Sequence, residues 1–180
     1  MVYVFLADGF EEVEALATVD FLRRCKVDVI TAGIGGEYIT GSHSITVRCD
    51  RVAADLRPDD SLEGIVLPGG MPGTLNLEKD ETVRGFMDYC VKRSKLVCAI
   101  CAAPSILGKA GLLKGVEAIC YPGFEKYLEG AVISDKAVVR SGCFITAKGA
   151  GVAFAFGREI ARALAGDETA EAVWESIQHE

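Results

Sequence analysis

Short apolar runs recur along the chain at Val2–Ala7 (VYVFLA), Val27–Thr31 (VDVIT), Gly64–Leu67 (GIVL), Leu96–Ile100 (LVCAI) and Cys143–Ala147. Runs of this length predict strands, and the uniformly apolar ones strands buried on both faces; the first ends at Asp8-Gly9 and the third at Pro68-Gly69. Between the first two, Val13, Leu16, Ala17, Phe21 and Cys25 recur at helical spacing from Glu11 to about Lys26. Acidic residues crowd the first turn of that helix, and Arg23, Arg24 and Lys26 crowd its last. Further helices are predicted over Thr82–Ser94, from the Cys101 turn to about Ala110, from Gly149-Ala150-Gly151 to Leu164, and from a capping Asp167 through Ile177. The β-branched stretches Tyr38–Thr40 and Ile45–Val47, set among Gly, Ser and His, predict a short hairpin or excursion at a sheet edge. Val116–Cys120 and Ala137–Arg140 are further strand candidates.

Apolar strands alternating with helices imply an α/β fold with a mostly parallel sheet covered on both faces. In such sheets functional sites lie at the carboxyl ends of the strands. Three segments fall there: Asp8–Glu14, the Pro68–Gly73 loop, and Cys101 directly after LVCAI.

The 180 residues suit one domain spanning 1–180, and the half-apolar, quarter-charged composition is that of a chain able to bury a sizeable core. A formal charge of -7 argues against nucleic acid or an acidic membrane as partner. The opening MVYVFLADGFEE lacks the basic flank of a signal peptide, and no apolar run reaches the roughly 18 residues of a membrane span. Seven cysteines scattered singly, an odd number, are the pattern of free thiols in a reduced cytoplasm.

Cys101 carries the sharpest chemical expectation. A residue at a strand-to-helix elbow has its side chain lifted clear of the sheet, and the helix that follows offers free N–H groups, so a thiol there should be acidified. Against this stands simple core packing, since free cysteine is among the most buried residue types. Glu14 has two readings: with Glu11 and Glu12 it forms a solvated acidic cap, or it points inward, stays protonated by desolvation and hydrogen-bonds a thiolate. Gly69-Gly70 provides backbone N–H groups which, with that of Ala102, suit an oxygen that turns negative when a carbonyl is attacked. Cys98 and Cys101 form a C-x-x-C, but their spacing on a strand predicts opposite faces and so no dithiol pair. Cys120, beside Tyr121, has two readings: a resolving thiol that approaches the pocket, or packing within a strand, which is favoured.

ADGFEEVEA after the first strand, IVLPGGMPG, VCAICAAPSIL and ITAKGAG, in this order, closely resemble the ThiJ/PfpI superfamily, specifically its DJ-one (parkinsonism-associated protein deglycase) branch. The resemblance covers nearly the whole chain, and AICAAP is its most specific piece. It implies a flavodoxin-like three-layer sandwich with a nucleophile elbow, usually a homodimer, with no metal and no organic cofactor. It also implies Cys101 as nucleophile and redox-sensitive cysteine, Glu14 as its protonated carboxyl partner, and Gly70 and Ala102 as oxyanion-binding positions beside Gly69.

One departure stands out. Relatives with the best-supported catalysis place a histidine just before the proline that here is Pro122, whereas this chain has Tyr121 there. A phenol donates hydrogen bonds but is a poor base at neutral pH, so slower chemistry is expected. His43, in GSHSIT, lies where relatives carry a charged loop residue near the pocket, and is a candidate ligand contact; His179 reads as a tail residue. Superfamily peptidases place a histidine where this chain has Ala102, and glutamine amidotransferases need a downstream histidine that is absent between His43 and His179, so neither activity is expected. The expected function is handling of small aldehydes or dicarbonyls such as methylglyoxal, glyoxalase III-like or deglycase-like. The alternative is a cysteine redox sensor or stress chaperone without efficient catalysis.

Overall fold

Alternate residues of the central strands feed two separate cores, and this sets the architecture of the computed structural model, which describes residues 1–178. Val2, Val4 and Leu6 of β1 (Val2–Leu6) point to one side, with Cys98 and Ile100 of β7 (Leu96–Ile100). They meet α1 (Glu12–Arg24), α5 (Ala153–Ala165) and α6 (Asp167–Ser176) through Phe21, Phe156, Ile160 and Ala170. Tyr3, Phe5, Val97 and Ala99 point to the other side. There they meet α2 (Gly73–Lys79), α3 (Glu81–Lys92) and α4 (Pro104–Lys109) through Leu77, Phe86, Cys90 and Leu107. Period-2 alternation of apolar residues on both strand faces is what a sheet sandwiched between helices requires.

The remaining strands of the main sheet are β2 (Val29–Gly33), β5 (Arg51–Val52), β6 (Gly64–Leu67), β10 (Val138–Ser141) and β11 (Phe144–Ala147). Their order is β10-β11-β7-β6-β1-β2-β5, with every pairing parallel except the antiparallel edge pair β10–β11. The fold is thus the flavodoxin-like three-layer α/β sandwich. Among the described residues no helix is long and apolar enough to cross a membrane.

Several boundaries differ from expectation for local reasons. β2 begins at Val29, because Lys26 takes a positive φ of 60° and Val27 donates back to the Leu22 carbonyl, so Val27 and Asp28 are spent in the turn. The predicted Thr82–Ser94 helix is preceded by α2, and Asp80 separates the two by accepting the Val83 N–H at 3.0 Å as the cap of α3. The hairpin of β3 (Tyr38–Thr40) and β4 (Thr46–Arg48) pairs only with itself, and β5 forms the sheet edge. Val116–Cys120 contracts to β8 (Glu117–Ala118), which pairs with β9 (Val132–Ile133) apart from the main sheet. Gly166, not Asp167, is the N-cap of α6. Val13 and Leu16 of α1 face solvent, while Ala15, Thr18, Val19 and Leu22 join Phe21 in the buried stripe. His179 lies outside the described residues.

Candidate active site

β7 is an interior strand, and the residue after its carboxyl end, Cys101, takes a left-handed backbone with φ of 63°. A side chain at positive φ is sterically disfavoured, at a cost of about 1 kcal/mol, and persists only where neighbours impose it. Here they do so from both sides: Cys101 donates its N–H to the Ala147 carbonyl at 2.9 Å, and its own carbonyl accepts the Tyr121 N–H at 2.7 Å. Pro104, in the first turn of α4, fits the helix start. The turn also overrides strand alternation. Cys101 packs against the same core as Cys98, so the two do not face opposite sides as their spacing suggested; both are free thiols. Cys120 is fully buried in the other core.

Glu14 reaches the elbow from α1. It is 1% exposed, and its Oε2 accepts the Gly69 N–H at 2.8 Å. Among the described residues its Oε1 has no hydrogen-bond partner of ordinary geometry. Gly69 has to be glycine for a spatial reason: a Cβ there would sit 2.7 Å from both Cys101 Cβ and Glu14 Oε2. Gly70, at φ 87°, is likewise excluded from bearing a side chain by Glu11 N, Gly9 O and Phe10 C. The freed space lets the N–H groups of Gly70 and Ala102 act on the Cys101 sulfur and favour its anion. Cys101, Glu14, Gly69, Gly70 and Ala102 are therefore brought together in one place.

The electrostatics differ from expectation. Burial pushes the Cys101 thiol up to about 12, the Glu14 carboxylate adds to the rise, and the Ala102 and Gly70 N–H groups oppose it without prevailing. With Glu14 ionised, burial and that charge outweigh the helix-start N–H groups, so the thiol is not acidified as its place at the elbow predicted. Burial likewise raises Glu14 to about 7, against the pull of Cys101 and of the Gly69 N–H. The two groups titrate as a pair sharing one proton once the first has left. A proton resting on Glu14 removes the charge that opposes the thiolate, so the carboxyl controls the sulfur.

Tyr121 stands at the rim, half exposed, with its ring 3.4 Å from where a Cβ on Gly149 would lie and its edge toward Phe124 at 6.5 Å. His43 is not brought into the cluster. Its N–H donates to Glu12 Oε1 at 2.7 Å and its ring Nδ1 lies 2.9 Å from Glu12 Oε2. Glu12 is the residue that sequence reasoning missed: read as part of a solvated cap, it is 4% exposed and pins the β3–β4 loop to α1. Gly41 leaves it room, since a Cβ there would collide with the Glu12 carboxylate. A glycine beside Ser42 and His43 was the available signal. Burial raises the Glu12 carboxyl, but hydrogen bonds from His43 and the loop backbone outweigh it and hold the group below its usual range. Hydrogen bonding to Glu12 raises His43 in turn. Glu11, Glu12 and His43 bring possible ligand atoms within 4.8 Å of one another. Their oxygens are already committed, however, with Glu11 capping α1 by accepting the Glu14 N–H at 2.7 Å.

Comparison with known proteins finds relatives that match nearly all of the chain. Protein dj-1beta of Drosophila melanogaster is 35% identical over 173 residues, covering 94% of this chain and 92% of that protein. A Pyrococcus abyssi protein named a deglycase is 31% identical over 166 residues, covering 91% and 98%. The crystal structure of a DJ-1 superfamily protein from Salmonella typhimurium, an alanine variant at one cysteine, superimposes with a TM-score of 0.93 at 34% identity, covering 99% and 98%. Residues 1–163 match the DJ-1/PfpI family, and with relatives this similar over nearly its whole length the chain belongs to that family.

Proposed function

We propose that the protein converts small reactive dicarbonyls, or their early adducts with amines and thiols, to hydroxy acids through Cys101, without metal or organic cofactor. The observation that carries this reading is the buried Glu14 carboxyl, fixed by Gly69 through one oxygen and unpaired at the other, against the Cys101 thiol. Near pH 7 a carboxylate with a pKa of about 7 is a well-matched base. For methylglyoxal, Glu14 takes the thiol proton as the sulfur attacks the aldehyde carbon, and the N–H groups of Gly70 and Ala102 hold the resulting oxyanion. Glu14 returns that proton to the oxygen and removes the proton on the former aldehyde carbon to give an enediolate; the hydroxyl proton passes from the first oxygen to the second, and Glu14 delivers the carbon-derived proton to the neighbouring carbon. The first carbon is thereby oxidised to a thioester and the second reduced to an alcohol. Water then cleaves the thioester, releasing lactate and restoring the thiol. Turnover of methylglyoxal by wild type and Cys101→Ser tests this: full activity in the serine variant overturns it.

A second reading rests on a different observation. Cys101 and Cys143 are the two partly exposed thiols, and Cys101 has the Ala102 and Gly70 N–H groups to favour its anion, so peroxide would oxidise Cys101 first and a protonated Glu14 would hydrogen-bond the sulfenic or sulfinic product. Mass spectrometry after mild peroxide discriminates, since even oxidation across the seven cysteines excludes selective sensing. Both roles suit a cytoplasmic homodimer. The exposed apolar residues Val13 and Leu16, with Ile45 on the loop pinned by Glu12, offer a face for a second copy. Sedimentation at micromolar concentration tests that assembly, and a monomer there rules it out.

A further inference from the structure

The chemistry above makes no use of a cleft of about 590 Å³ at the other end of α4. The helix begins just past the Cys101 elbow and ends at Lys109, which lines this cleft with Lys114, Lys126 and Tyr127. Two of the ammonium groups are gathered on one ring: Lys109 Nζ lies 4.9 Å and Lys126 Nζ 5.0 Å from the Tyr127 centroid. Lys109 also pairs with Glu78 at 2.7 Å. Among the described residues, Lys114 and Lys126 have no carboxylate partner, and Glu129 is the one acidic residue on the lining.

The lining between these side chains is backbone. Gly108 packs so closely under Tyr127 and Leu128 that a Cβ would collide with the Tyr127 carbonyl, Gly111 turns at φ 73° into open space, and the Lys114 stem lies over Gly130, 3.0 Å from where its Cβ would be. The cleft thus keeps its depth, with cations at its walls. In a chain of net charge -7, uncompensated ammonium groups around a concave site are a local feature against the overall field. Lysine is a point-charge binder of phosphate, and the volume suits a small organic ligand.

We propose that this cleft binds small phosphate-bearing anions, with Lys114 and Lys126 as the charged donors and Glu129 weakening the site. Titration with inorganic pyrophosphate at low salt, followed by calorimetry and by amide NMR, is the test. The expected result is saturable binding with shifts at residues 108–115 and 126–130. Lys114→Ala and Lys126→Ala should each weaken it about fivefold or more, and Glu129→Gln should strengthen it about twofold. The alkylation rate of Cys101 should be unchanged in all three. Unsaturable shifts, or an affinity indifferent to both lysine substitutions, overturn the proposal.

Discussion

Gly69 donates its amide N–H to Oε2 of Glu14 at 2.8 Å across 55 positions of sequence, and so turns a side chain from the first helix into part of the Cys101 elbow. Without a side chain the same glycine leaves room for both Cys101 Cβ and that carboxylate, each of which would lie 2.7 Å from a Cβ placed there. Gly69→Ala should therefore displace both groups. A sharp fall in Cys101 alkylation rate is expected, with a stability loss of about 1–3 kcal/mol in urea from overpacking.

The Glu14 carboxyl gives stability a defined pH dependence. Its pKa of about 7 in the folded state lies above the unfolded value of 4.5, so the native state holds more protons between those two limits. The stabilising contribution is complete below the unfolded pKa and is lost as pH rises through about 7. Glu14→Gln removes it. Relative to that variant, wild type should lose about 3 kcal/mol between pH 4 and pH 8, measured as the difference between two urea series.

Backbone strain at Cys101 reverses an ordinary preference. Glycine in place of alanine usually costs about 0.5–1 kcal/mol, but at a φ of 63° glycine pays no steric cost. Cys101→Gly is expected to be at least as stable as Cys101→Ala, read from their urea midpoints.

Glu12 is the brace of the β3–β4 loop. Truncation to alanine strands the N–H groups of His43 and Ile45 and opens a void under Gly41. A loss of about 1.5–3 kcal/mol is expected, with faster hydrogen exchange at residues 41–45.

At the rim, Tyr121→His puts an imidazole on a backbone already tied to Cys101 through the 2.7 Å hydrogen bond. Methylglyoxal turnover is expected to rise about tenfold or more, the scale of a positioned base, with Cys101→Ser in the same background as the control.

Much of this was legible in the residues. Uniformly apolar runs such as LVCAI mark central strands because both faces of a parallel sheet are covered, and the order of motifs places Cys101, the glycine loop and the first helix at one edge. What escaped were features decided by the whole fold. Val13 and Leu16 have helical spacing yet face outward, because the packing of α1 on α5 selects a neighbouring stripe. Glu12 and Glu14 are two residues apart, look alike, and both are buried; one ends on a loop and the other on the elbow, a distinction no local pattern carries. The raised thiol pKa was hidden similarly, since a helix start is visible in sequence and the desolvation around it is not.

The clamps on Cys101 also have a consequence for how the protein is made. The carbonyl that holds its N–H belongs to Ala147, and the N–H that holds its carbonyl belongs to Tyr121, both later in the chain. The thiol leaves the ribosome well before the partners that bend its backbone. Its reactive geometry is acquired only when the strand ending at Ala147 has emerged and docked, so a nascent or truncated chain carries an ordinary cysteine at this position.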